Sequence, residues 1–425
     1  MENWTDTEKR KTGRGKPELL IPASSLEVLK VAVIYGADAV YIGGEHYGLR
    51  AKAKNFSAAD MESGIKFAHE HGKKVYVTAN ITAHNRDLAG IREYFLELSD
   101  LSPDALIISD PGVFEIAREV LPQMEIHIST QANNVNYLTC LFWKKLGAKR
   151  VVTARELSLA EIAEIRANIP DDLELETFVH GAMCISYSGR CLLSNYFTGR
   201  DANMGACTHP CRWKYYLTEE TRPGEYLPVF ENDRGTYIFN SRDLCMVEHI
   251  PELVAAGIDS FKVEGRMKTA LYVAAMARTY RRAIDDYFIS EECYRENLSW
   301  YREEIGKCTY RQYTTGFFFG KPGADAQIYD NSVYVKDYTY LGLVHGVEDG
   351  ICRMEQRNRF FVGDTVEVMK PSGENQKVTV LGISDLEGNA MESCPHPKQK
   401  IFVRFDRELE VFDLVRQKKE EKEGK

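Results

Sequence analysis

The chain has no run of about 18 apolar residues, so nothing in it reads as a membrane span. It also lacks an excess of positive charge: 54 lysines and arginines face 63 aspartates and glutamates, a net charge of −9. A wholly basic nucleic-acid protein is thereby excluded, while a local basic patch is not. The opening residues MENWTDTEKRKTGRGK contain no apolar stretch, and the expectation is a cytoplasmic protein with no secretory segment. No G-x-G-x-x-G follows the first strand-like run, which argues against a dinucleotide-binding sheet. Neither H-E-x-x-H nor G-x-S-x-G occurs, so two hydrolase signatures are missing. A composition of 44% hydrophobic and 28% charged residues over 425 positions excludes a disordered chain, a collagen-like chain and a disulfide scaffold. It leaves room for two or three domains.

What is present is a repeating unit. Eight short runs rich in β-branched residues occur: ELLIPA (18–23), AVYIGG (39–44), KVYVTAN (74–80), ALIISD (105–110), EIHIST (125–130), RVVTARE (150–156), LELETFVHG (173–181) and SFKVEGR (260–266). Continuous apolar runs of this length suit parallel strands buried on both faces. Between them lie amphipathic stretches such as MESGIKFAHEHG, with Ser25, Asp60, Asn85 and Ser158 as expected N-caps. Gly36, Gly72, Gly147 and Gly257 are expected just past helix ends. Eight such units predict an α/β fold, a (β/α)8 TIM-like barrel over 18–288, with an open doubly wound sheet as the alternative. Residues 1–17 read as a basic flexible arm, 289–335 as a connecting segment and 417–425 as a charged tail. Over 336–416 short alternating strands with glycine and proline turns predict a small C-terminal β-barrel. Its hairpin FVGDTVEVMKPSG resembles the second-domain barrel of translation elongation factors.

One link is abnormal. The stretch 182–259, after the seventh run, is far longer than the others and is rich in cysteine. Loops after barrel strands lie on the catalytic face, so this insertion points at a site. Cys184, Cys191, Cys207 and Cys211 follow the pattern C-x6-C-x15-C-x3-C. Four thiolates suit tetrahedral zinc or an iron–sulfur cluster, and because only the last pair is closely spaced the cluster is favoured. Cys245 is a rival fourth ligand. Cys140, Cys293, Cys308, Cys352 and Cys394 are scattered and read as packing residues.

Polar residues also gather where the runs end. Arg50, Lys52 and Asn55 follow the second, Asn80 ends the third, and Gln131 and Asn133 follow the fifth. Arg155 and Glu156 end the sixth, and Glu264 and Arg266 the eighth. In a barrel these converge on one mouth, where arginine suits carboxylates or phosphates. Glu156, His180 and Glu264 are the candidate catalytic residues, the alternative being that both glutamates serve as structural partners of the arginines. A His180–Cys184 dyad is the one protease-like pairing that the spacing allows. KRKTGRGK (9–16) and the group Lys144, Lys145, Lys149 and Arg150 are basic patches suited to phosphate. Tyr338, Tyr340, Phe360 and Phe361 are possible base-stacking rings.

The stretch ETFVHGAMCISYSGRCLLS (176–194), continued by RDANMGACTHPCRW, GTYIFNSRDL and FKVEGRMK, resembles the signature of the collagenase-like peptidase family of unclassified catalytic type. ELLIPASSLEVLKVAVIYGADAVYIGG and YGLRAKAKNF extend the likeness to nearly the whole chain. Within that family it is most similar to the branch that hydroxylates tRNA. The resemblance implies formation of 5-hydroxyuridine at the wobble position, with prephenate as the hydroxyl donor. It also implies a [4Fe-4S] cluster on the four cysteines. The expected partners are tRNA, the small dicarboxylate donor and a paralogous subunit, with no membrane. Arg50, Arg155 and Arg266 are then the candidates for holding prephenate. Other members hydroxylate a ribosomal RNA base or a quinone precursor, and the family's name keeps proteolysis as an alternative.

Overall fold

The computed structural model describes residues 14–48, 55–183, 191–200, 202, 205–210, 240–322, 327–328, 335–396 and 398–419. Arg50, Lys52, Cys184 and Cys211 therefore lie outside the described residues. Eight parallel strands close a barrel: β1 (Glu18–Pro22), β2 (Ala39–Gly43), β3 (Lys74–Ala79), β4 (Ala105–Ile108), β5 (Glu125–Ile128), β6 (Arg150–Val152), β7 (Glu174–Ala182) and β8 (Ser260–Val263). Closure is made by β8, which pairs with β1 on one side and β7 on the other. Each strand is followed by a helix: α1 (Leu26–Ile34), α2 (Ala58–Glu70), α3 (Ile91–Leu101), α4 (Pro111–Val120), α5 (Tyr137–Leu146), α6 (Leu159–Ala167), α7 (Ile250–Ala255) and α8 (Ala270–Ile289). The strand side chains split by parity. Leu20, Ala39, Tyr41, Tyr76, Ala105 and Ile107 pack inside the barrel. The opposite parity packs under the helices, in one large core.

Local chemistry sets the helix ends. The Ser25 hydroxyl accepts the Val28 N–H, and Ser158 forms a reciprocal capping box with Glu161. Two expected caps shift. Ser57, not Asp60, caps α2, because its hydroxyl already accepts the Asp60 N–H. At 85–88 the cap is His84, and Asn85 is the first helical residue. Gly36, Gly72, Gly147 and Gly257 all take positive φ. An added segment, Asp243–Cys245, lies antiparallel on the end of β7 and brings the return of the insertion beside the barrel.

After α9 (Glu291–Glu296) and α10 (Leu298–Gly306), six antiparallel strands form a second closed barrel. They are β9 (Tyr338–Glu348), β10 (Ile351–Gln356), β11 (Thr365–Met369), β12 (Gln376–Ser384), β13 (Lys400–Phe405) and β14 (Leu414–Lys418). It docks on the outer helices through polar anchors. Arg416 is fully buried between Glu304 of α10 (2.8 Å) and Glu367 (2.6 Å). The Tyr35 hydroxyl donates to the Met369 and Phe412 carbonyls at 2.7 and 2.9 Å. Among the described residues no helix is long and apolar enough to cross a membrane.

Candidate functional site at the barrel mouth

Beneath the mouth, the barrel is floored by buried charge. Arg150 reaches Glu18 (2.6 Å), Glu174 (2.6 Å) and Glu176 (3.0 Å), while Lys262 Nζ lies 2.6 Å from the other oxygen of Glu176. Burial alone would raise the Glu176 carboxyl, but Lys262 and Arg150 hold it below its ordinary range. Burial lowers Lys262, against the pull of Glu176. The charges are mutually satisfied, so the floor is rigid. Arg150, which belonged to a candidate phosphate patch, is spent here. Its neighbours Lys144 and Lys149 pair with Asp172 and Glu174. Two residues of the basic arm are engaged at the same end, Arg14 with Asp171 and Asp259, and Lys16 with Asp285.

The mouth is built from strand ends. Arg266, beyond β8, reaches across to β3 and donates to Thr78 Oγ1 at 3.0 Å. Its passage depends on Gly43: a Cβ there would stand 2.5 Å from Arg266 Nη1 and 3.6 Å from Asn55 Oδ1. Asn55 is thereby placed in the same corner. Asn80 donates to Ser129 Oγ (3.1 Å), tying the ends of β3 and β5 together. Gln131 and Asn133 follow Ser129, and Asn133 Nδ2 returns to the Gln131 carbonyl at 3.0 Å. Gln131 Oε1 is buried with no hydrogen-bond partner among the described residues.

On the other side, the Arg155 guanidinium lies 3.9 Å over the Phe178 ring. It reaches Glu264 at 3.5 Å and the Ala182 carbonyl at 3.4 Å. Arg155 Nε is buried and makes no hydrogen bond among the described residues, so the group keeps a donor for an anion. Glu156 is half-buried, and burial raises its carboxyl. The structure thus brings Asn55, Arg266, Glu264 and Arg155 to one mouth, with Asn80, Gln131 and Asn133 at the ends of β3 and β5.

His180 sits elsewhere. It is 1% exposed, ringed by Tyr272, Tyr280 and Tyr313, and its Nδ1 is 3.3 Å from the Tyr280 hydroxyl. Burial pushes its pKa down to about 3, so the ring is neutral. Cys245 faces the same cage, 3.9 Å from the Tyr280 hydroxyl, and burial pushes its thiol up to about 12. Without a metal beside it, such a thiol is protonated.

Cys191 and Cys207, like Cys245 partly exposed and in no disulfide, do not pack against the barrel core as Cys245 does. Their segments are stitched together. Ser194 Oγ accepts the Thr208 N–H at 2.9 Å and contacts Thr208 Oγ1 at 2.8 Å, and Thr198 Oγ1 lies 3.2 Å from the same oxygen. The His209 N–H points at Cys207 Sγ at 3.4 Å. An N–H aimed at sulfur and thiols clear of the core suit a metal-bound thiolate. Among the described residues, no group of three or more His, Cys, Asp or Glu side chains could hold a metal ion.

The buried floor has no counterpart among the residues expected at the site. Its signal was a charged residue at inward parity within a buried run, as at Glu176 and Lys262. Phe360, expected as a stacking ring, is fully buried in the small barrel, while Phe361 is exposed.

Residues 24–328 match the model of peptidase family U32, and residues 336–416 that of the peptidase family U32 C-terminal domain. The chain is 41% identical over 406 residues to tRNA hydroxylation protein P1 of Bacillus subtilis (strain 168), covering 95% of each chain. It is 38% identical to tRNA hydroxylation protein P of Escherichia coli (strain K12), covering 93% of this chain and 95% of that one. A 31% likeness to the 23S rRNA 5-hydroxycytidine C2501 synthase of the same strain spans 84% of this chain and 55% of that protein. A (β/α)8 barrel with a cysteine-bearing insertion, followed by a six-stranded barrel and matched by both models, makes this chain a member of peptidase family U32.

Proposed function

We propose that this chain is an RNA-hydroxylating enzyme of the cytoplasm that converts a wobble uridine of tRNA to 5-hydroxyuridine, with prephenate as the hydroxyl donor. The observation that carries the reading is the near-full-length likeness to relatives named for tRNA hydroxylation. The mouth supports it. Arg155 and Arg266 approach from different strands, and a dicarboxylate offers an anion to each. Glu264, beside Arg155, orients that guanidinium. Asn55 and Asn80 supply neutral donors and acceptors for a base or a hydroxyl.

Cys184, Cys191, Cys207 and Cys211 would hold a [4Fe-4S] cluster, and the pairing of the Cys191 and Cys207 segments through Ser194 and Thr208 fits that donor set. Bound there by four thiolates, the cluster would supply one-electron transfer. The caged, neutral His180 weighs against a His180–Cys184 protease dyad, since a base with pKa about 3 does not activate a thiol at neutral pH.

Mass spectrometry of tRNA nucleosides tests the reading. A strain lacking this gene, any paralogue and any oxygen-dependent hydroxylase should contain no 5-hydroxyuridine derivatives, and restoring the gene should restore them. Blocking prephenate synthesis should reproduce the defect. Retention of the modification in that strain overturns the function.

A further inference from the structure

We propose that the cleft between the two barrels is a seat for the phosphate backbone of RNA. This rests on the tRNA reading above and extends it to a surface outside the mouth. The cleft has a volume of about 900 Å³. Lys268 enters it from the β8–α8 turn, two residues beyond Arg266, so the cleft starts at the rim of the mouth. Lys336, Lys398 and Lys419 line it from the second-barrel side. These three are exposed and make no ion pair among the described residues.

Two helix N-termini open into the same cleft. Ser25 caps α1, of nine residues, and Thr269 caps α8, of twenty, and both caps line the cavity. Their backbone N–H groups and dipoles favour an anion there. Three carboxylates line the cleft against five cations, and two of the three share one guanidinium. Glu27 is held by Arg357 at 2.8 Å, and Glu355 lies 3.3 Å from the same guanidinium. Asp60 is the remaining acid on the wall. Lysines on separate segments, each a flexible point charge, suit a chain of phosphates better than one small planar anion. An RNA lying along the cleft would run from the small barrel to the mouth, where a base can be presented.

The test is binding of the full chain to an unmodified tRNA transcript, measured from 50 to 300 mM KCl. The triple variant Lys336→Glu, Lys398→Glu, Lys419→Glu should bind at least ten-fold more weakly. The slope of log affinity against log salt should fall by about 2–3, near one per lost phosphate contact. The matching triple Lys→Gln should show the smaller loss, and triple Lys→Arg should restore wild-type binding. Lys144→Glu with Lys145→Glu, at the end of α5, should leave affinity unchanged. Equal melting temperatures exclude misfolding of these exposed variants. If the wild type binds tRNA and the triple variants bind with the same affinity and slope, the cleft proposal is overturned while the function stands, and the charge is left for an acidic protein partner. If the wild type binds no tRNA in this range, both are overturned.

Discussion

Replacing Gly43 by alanine should disable the mouth without unfolding the barrel. The added Cβ would stand 2.5 Å from Arg266 Nη1 and 3.3 Å from Thr78 Oγ1. Unstrained Cβ contacts are longer than the first, so something must move. The group in the way is the far end of a flexible arginine, which swings aside at little cost, and Gly43 is a strand residue outside the positive-φ set. The melting temperature should therefore change by only a few degrees. The site pays instead, because Arg266 loses Thr78 and its orientation toward an anionic donor. One charge-assisted contact is worth about 1.5–3 kcal/mol, roughly ten- to a hundred-fold in affinity. The assay is the fraction of hydroxylated nucleoside in tRNA from a deletion strain complemented with each variant, read across a range of donor supply. Gly43→Ala and Arg266→Ala should each lose activity at low donor supply. Their combination should lose no more than Arg266→Ala alone, since both act on one guanidinium. Additive losses, or full activity in Gly43→Ala, would refute the claim that this glycine serves the arginine.

Other outcomes follow from the same geometry. Glu176→Gln leaves Lys262 and Arg150 without their shared carboxylate in a dry barrel, and urea unfolding should show a loss of about 3–5 kcal/mol. Stability should also fall in acid. Glu18 is held at about 2 in the folded chain, chiefly by Arg150 against the cost of burial, and at 4.5 otherwise. Its contribution, about 3 kcal/mol, is complete above pH 4.5 and disappears as pH falls toward 2, so unfolding free energy measured across that window should drop, and the drop should be smaller by about that amount in Glu18→Gln, with Glu176 and Glu304 keeping theirs. For the cysteines, anaerobically purified Cys211→Ala should contain no iron and no acid-labile sulfide, while Cys245→Ala should keep both. The reverse would move the fourth ligand to Cys245.

The strands were legible because both faces of each are covered, which compresses the sequence into unbroken apolar runs. All eight start at or within one residue of the observed β1–β8, seven of them at the same residue, as at Lys74 and Arg150. Caps were legible at Ser25 and Ser158, where the hydroxyl directly precedes the leucine that opens the apolar helical pattern. They were misplaced where a second polar residue three positions away competed, as at Ser57 and Asp60. The floor was illegible as a unit, because Glu18, Arg150, Glu176 and Lys262 meet only after four distant strands close. The mouth residues could be named from their positions at strand ends, but not their partners. Nothing in the local sequence says that Gly43 clears room for Arg266, or that Phe178 carries Arg155. The cleft is the extreme case, since its lysines are up to 151 positions apart (419 − 268) and none stands in a basic run with another.

Floor and mouth are parts of one device. Lys262 Nζ, fixed by Glu176, lies 5.5 Å from the Phe178 ring, and Arg155 lies 3.9 Å from the same ring. A rigid ion pair below thus steadies an aromatic plate, and the plate positions a cation above. The two levels differ in how far their charges are satisfied. In the floor, contacts of 2.6–3.0 Å hold each cation directly on a buried carboxylate. At the mouth the Arg155–Glu264 contact is 3.5 Å, and one buried guanidinium N–H has no acceptor among the described residues. An anion arriving there gains a donor whose desolvation has already been met by folding. The ring supplies a direct check of this coupling. Phe178→Leu keeps the apolar volume but removes the flat face, so folding should survive while the donor concentration needed for half-maximal hydroxylation rises several-fold. Unchanged donor dependence in Phe178→Leu would mean that Arg155 is placed by Glu264 and Ala182 alone.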